Sequence, residues 1–153
     1  MLADNPRSTA AIAGHPIHVM LVPIPIACFA GALVADVTYA ETADMQWANM
    51  SAWLLIAGII FTVLAAIAGL IDFFGEARIR TLRAAWIHVV GNVVVLILSI
   101  FNELVHSRDA YTSVVPAGLA LSAITVAILL VTGWNGWSMV HRHRVAVLPE
   151  SGP

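Results

Sequence analysis

The sequence predicts an all-α integral membrane protein: an antiparallel up-down bundle of four transmembrane helices with both termini on the same side. Three observations predict it. Hydrophobic residues make up 60% of the 153 residues and charged residues 10%, with a mean hydropathy of +0.90, whereas an ordinary soluble domain carries about a quarter charged residues. Four stretches, 16–35, 45–71, 84–102 and 110–141, contain no Asp, Glu, Lys or Arg. Each is near or above the roughly 20 residues that a helix needs to cross about 30 Å of hydrocarbon, and none alternates as a barrel strand would.

The spans are expected at 15–39, 48–75, 81–106 and 113–141. Connections near 40–47, 76–80 and 107–112 are too short for anything but antiparallel neighbours. The chain thus divides into a cytoplasmic N-terminal segment, 1–14, a four-helix transmembrane domain, 15–141, and a cytoplasmic tail, 142–153. Residues 1–14 lack the apolar length of a cleavable signal peptide, so the first span is expected to stay in the membrane. Cys28, alone in an apolar run, reads as packing.

Arg7, Arg78, Arg80, Arg83, Arg142 and Arg144 fall at one end of such a bundle and Arg108 at the other. Short arginine-rich loops stay in the cytoplasm, which predicts a prokaryotic inner membrane protein with both termini inside. The opposite end carries Asp36, Glu41, Asp44, Glu103 and Asp109. Trp47 and Trp53 at that end, and Trp86, Trp134 and Trp137 at the arginine-rich end, sit where interfacial rings anchor a bundle.

Several polar side chains within the spans share one depth toward the arginine-rich end. His15 and His18 open span one, Asp72 lies near the end of span two, and His88 is about a turn into span three with Asn92 one turn deeper. Spacings of three and four keep His15 with His18, and His88 with Asn92, on one helix face. Gly69 and Gly91 stand one turn from Asp72 and His88, leaving space for a close helix or a bulky ligand. An Asp at a helix centre costs about 2.5–3.5 kcal/mol on insertion scales, so Asp72 is expected to bond an imidazole, His18 or His88. Pro16 fits a first helical turn with His15 as the cap, whereas Pro23 and Pro25 free carbonyls near Val19 and Leu21 and bend the helix. The plainer readings are prolines that only shape span one, His15 as a headgroup-level cap, and a His88–Asp72–Asn92 bridge that fixes helix register. His106, near Asn102 and Glu103, reads as a surface residue, and His141 and His143 as a solvated tail.

GHPIHVMLVPIPI at 14–26, GLIDFF at 69–74 and HVVGN at 88–92 resemble the small prokaryotic four-span membrane family catalogued as domain of unknown function 2231. The likeness runs from Gly14 to about Val140, with Val19 where relatives often show a third proline. It implies the four-helix architecture and the location of the site, but no activity. Some relatives are joined to a Rieske iron–sulfur domain, which implies redox company.

Two chemistries fit these residues. The first is electron transfer by a b-type haem with His18 and His88 as axial ligands, or His15 in place of His18. Arg78, Arg80 and Arg83 would meet the propionates, Asp72 and Asn92 would hold the second ring nitrogens, and a quinone or a redox partner protein would exchange electrons. The second is a non-haem site of His15, His18, Asp72 and His88 around zinc, iron or copper. A third class is a structural or partner-binding membrane module, and a homodimer is possible for any of them. No nucleophile or proton-transfer chain is legible, which sets hydrolysis aside, and no nucleic-acid partner is expected.

Overall fold

The structure, a computed structural model, describes residues 8–108 and 114–145. Arg7 and Asp109, part of the charge asymmetry above, lie outside the described residues. Four helical segments are long and apolar enough to cross a membrane: Ile17–Thr42, Met45–Gly75, Arg83–His106 and Val114–His143.

The chain enters through a small hairpin. Strand β1 (Ala11–Ile12) pairs antiparallel with β2 (His15–Pro16), joined by Ala13 and Gly14 at φ of 49° and 80°, the left-handed conformation that tight two-residue hairpin turns require. Helix α1 (Ile17–Leu21) follows directly, with Pro16 at its N-cap and no side-chain cap. The hairpin supplies the cap instead, because Ile17 N–H donates to the carbonyl of Ala10 at 2.9 Å. Pro16 therefore stands just before the first turn and His15 belongs to a strand, so α1 begins one residue later than expected.

Helix α2 (Pro23–Thr42) continues span one beyond a break at Val22. Pro23 and Pro25 have no N–H to donate, so Val19 and Leu21 lose their intrahelical partners, and Ile26 N reaches Val22 O at a long 3.5 Å. The span ends at Ala43, φ 55°, and Asp44 caps the next helix by accepting from Gln46 N at 2.9 Å. Helix α3 (Met45–Gly75) is span two, α4 (Ala77–Arg80) is a single turn in the connection, and α5 (Arg83–His106) is span three. A wide turn, Val114–Gly118, with Val115 extended, leads into α6 (Leu119–His143), span four.

The spans pack in a ring, α2 against α3, α3 against α5, α5 against α6 and α6 against α2. Early residues of one span meet late residues of its neighbour: His18 bonds Ala65, Ser51 bonds Ala32, His88 bonds Thr132, and Ser122 bonds Asn102. Adjacent spans thus alternate in direction. Both described ends of the chain lie at one end of the bundle, with Ser8–Ala10 on Asp72 and Val145 against the cluster of Phe73, Ile79 and Ala85.

The middle of the bundle is apolar. Phe29, Ala32, Leu55 and Val95 form its buried core, and Gly58 lets the Phe29 ring so close that an added Cβ would lie 2.6 Å from it. The outside is apolar too: Trp53 and Leu130 are 73% and 72% exposed, and large aliphatic side chains face outward along every span. Only lipid makes such a surface favourable.

Candidate functional site

The first polar layer lies near the hairpin end. His18 on α1 and His88 on α5 belong to diagonally opposite spans, yet their ring centres stand 5.8 Å apart with the ring planes at 85°. Each ring is held from outside by a neighbouring helix. His18 Nδ1 bonds the Ala65 carbonyl at 2.8 Å and packs on Gly69, where a Cβ would lie 2.8 Å from Nδ1. His88 Nδ1 bonds the Thr132 carbonyl at 2.9 Å and packs on Gly136, where a Cβ would lie 3.1 Å from the ring. A carbonyl oxygen only accepts, so in each neutral ring Nδ1 carries the hydrogen and Nε2 keeps its lone pair. The His18 ring lies close against α3 at Gly69 and the His88 ring close against α6 at Gly136, where a side chain would collide with each.

Asp72 is not bonded to either imidazole, which corrects that expectation. Its carboxylate accepts from the backbone N–H groups of Thr9 and Ala10, both at 2.7 Å, from Ser8 Oγ at 2.9 Å and from Thr9 Oγ1 at 3.2 Å. The carboxylate is better satisfied by two main-chain donors and two hydroxyls than by one ring, and the hairpin segment brings them. Asn92 departs from its expected role as well, since its Nδ2 donates to the His88 carbonyl at 2.7 Å within α5, not to a ring. His15 is exposed, and its Nδ1 is bonded within the hairpin, 3.1 Å from the Ala13 carbonyl. Gly91 accommodates Thr132, whose Cγ2 an added Cβ would overlap. Among the described residues, no three His, Cys, Asp or Glu side chains form a group that could hold a metal ion. Arg78, Arg80 and Arg83 are exposed around α4 and the start of α5, at this end of the bundle.

The second polar layer lies at the arginine-poor end, and its His106, expected at the surface, is buried. Asp36 and His106 are 0% and 6% exposed, and His106 Nε2 lies 2.8 Å from Asp36 Oδ1. His106 Nδ1 bonds the Asn102 carbonyl at 2.9 Å. Ser122 Oγ donates to Asp36 Oδ2 at 2.5 Å and accepts from Asn102 Nδ2 at 2.8 Å. Ser51 Oγ stands 3.3 Å from His106 Nε2. All four spans contribute, and the His106 ring fits because Gly118 lies under it, an added Cβ falling 2.6 Å from Cε1. A residue signal did exist. His18 and Asp36 are eighteen residues apart, as are His88 and His106, which is five turns at about 3.6 residues each, so each end-layer residue lies on the stripe of its partner in the first layer.

The fold and these layers define a four-span integral membrane protein whose apolar core is bounded at each end by paired titratable side chains. The chain belongs to the family of predicted membrane proteins DUF2231, whose model matches residues 14–149. No solved structure matches it.

Proposed function

We propose that this protein is a membrane electron-transfer component in which His18 and His88 are the axial ligands of a haem b. The observation that carries the reading is the pair of Nδ1 anchors: both rings give their N–H to main-chain carbonyls, at 2.8 and 2.9 Å, which orients each imidazole and leaves Nε2 as the ligating atom. The ring centres stand 5.8 Å apart, near enough that both imidazoles would serve one haem iron.

The number of protein ligands favours haem over a bare ion. A closed zinc site takes four protein ligands and a catalytic one three, but Asp72 is committed to Ser8–Ala10 and His15 is exposed on the Ala13 carbonyl. Two imidazoles suffice where a porphyrin supplies the remaining ligands. When bound, haem supplies one-electron chemistry. The chain's own residues fix the ligand rings, surround them with apolar helices, and offer Arg78, Arg80 and Arg83 as cations for propionates at the same membrane end. A lipid-dissolved quinone or a redox protein is the electron partner, and the arginine-rich end faces the cytoplasm of a prokaryotic cell.

The test is the absorption spectrum of protein purified from haem-replete cells. A Soret band that is lost in both His18→Ala and His88→Ala supports the reading. A colourless wild-type protein that folds equally well with and without His88 leaves the pair as a packing device and ends the proposal.

A further inference from the structure

The Asp36–His106 contact has a definite proton count. The Asn102 carbonyl only accepts, so His106 Nδ1 carries a hydrogen, and the 2.8 Å contact between Nε2 and Asp36 Oδ1 must contain one more. That proton makes the pair neutral overall, whether it resides on the ring or on the carboxyl. The Ser122 hydroxyl cannot replace it, because its own hydrogen is directed at Asp36 Oδ2.

Ser51 is different. Its Oγ lies 3.3 Å from the Ala32 carbonyl and 3.3 Å from His106 Nε2, and one hydroxyl has a single hydrogen to give. With the shared proton in place, the hydroxyl donates to Ala32. With that proton gone, Nε2 has a lone pair, and rotation of the Ser51 hydroxyl offers it a donor.

We propose that Asp36 and His106 form a proton-binding site that takes up and releases one proton, with Ser51 as the rotor that accommodates both states. On release, the proton leaves the Nε2–Oδ1 contact for water at the nearby membrane surface, the pair passes from neutral to a net charge of −1, and Ser51 turns from Ala32 to Nε2. Glu103, one turn before His106 on α5, is the other carboxylate beside the pair, and Tyr39 follows Asp36 by a turn on α2. From α3 and α6 the groups that reach the pair are the hydroxyls of Ser51 and Ser122. Asn102 Oδ1 and Glu103 Oε2 are buried without a partner among the described residues, which leaves acceptor capacity in the layer. The site lies about 27 Å along the helices from His18 and His88 and does not depend on what those residues bind.

The experiment is a pH titration of the full-length protein in lipid nanodiscs, followed by NMR of labelled histidine nitrogens and aspartate carboxyl carbons. The proposal predicts that His106 and Asp36 report one common midpoint, because the proton belongs to the pair. Ser51→Ala leaves the deprotonated Nε2 without a donor, whereas the Ala32 carbonyl it releases in the protonated state lies within helix α2, so the midpoint moves by about 0.4–1 pH unit toward alkaline values. Asp36→Asn abolishes the shared step. Separate midpoints, no titration of His106, or an unmoved midpoint in Ser51→Ala overturns the proposal. Should a variant fail to fold, the wild-type titration alone decides between a shared step and none.

Discussion

His18 and His88, on diagonal spans, stand with ring centres 5.8 Å apart, each tethered by Nδ1 to a carbonyl of a different neighbouring helix. Four helices therefore cooperate to present two imidazoles, and a substitution on a helix that carries neither histidine can disturb them. Gly69 is the sharpest instance. Gly69→Ala places a methyl group 2.8 Å from His18 Nδ1, so the ring has to leave the Ala65 carbonyl. Under the proposed haem ligation, the expected outcome is loss of the Soret band with the helical content unchanged, read by absorption and circular dichroism of the same sample.

The apolar core gives a stability prediction. Gly58→Ala drives a methyl group to 2.6 Å from Phe29, and overpacking of this kind costs about 1–3 kcal/mol. Gly133 meets nothing within 4 Å of an added Cβ, and a helix prefers Ala over Gly by about 1 kcal/mol. Unfolding in detergent is expected to be easier for Gly58→Ala and no easier for Gly133→Ala.

Asp72 clasps the hairpin segment, not the histidines. Hydrogen bonds to a charged acceptor contribute roughly 1.5–3 kcal/mol each, so Asp72→Ala is expected to raise amide exchange at Thr9 and Ala10 about tenfold or more. Hydrogen-exchange mass spectrometry checks this, with the peptides of α3 and α5 as the unaffected reference.

The buried pair at the other end predicts strong non-additivity. Removing one member of a buried pair costs about 3–5 kcal/mol, while replacing both with apolar residues is often neutral. Asp36→Leu is therefore expected to unfold more readily than the double variant Asp36→Leu, His106→Leu, a comparison that thermal unfolding of the purified proteins makes directly.

Why some of this was legible in the sequence and some was not follows from where each group finds its partners. The spans show themselves because lipid tolerates few charges, and 16–35, 45–71, 84–102 and 110–141 have none. His18 and His88 stand out because an imidazole inside an apolar run must be held by something. Asp72 stood out for the same reason, but its partners are main-chain N–H groups and hydroxyls of a segment outside the spans, which no residue pattern announces. Asp36 and His106 were hidden by position: a charge at a span end resembles a surface charge. Only the coincidence of two eighteen-residue spacings placed them on the inward stripes, and only the fold made the two stripes face each other. The start of α1 shifted by a step because its cap is the Ala10 carbonyl, a backbone group with no signature of its own.

The proposed pairing of His18 and His88 on one iron is tested most directly by electron paramagnetic resonance of the oxidised protein from haem-replete cells. Two imidazole ligands predict a low-spin ferric signal that disappears in His18→Ala and in His88→Ala. A wild-type protein whose iron is high-spin, or whose low-spin signal survives either single substitution, would contradict the paired ligation.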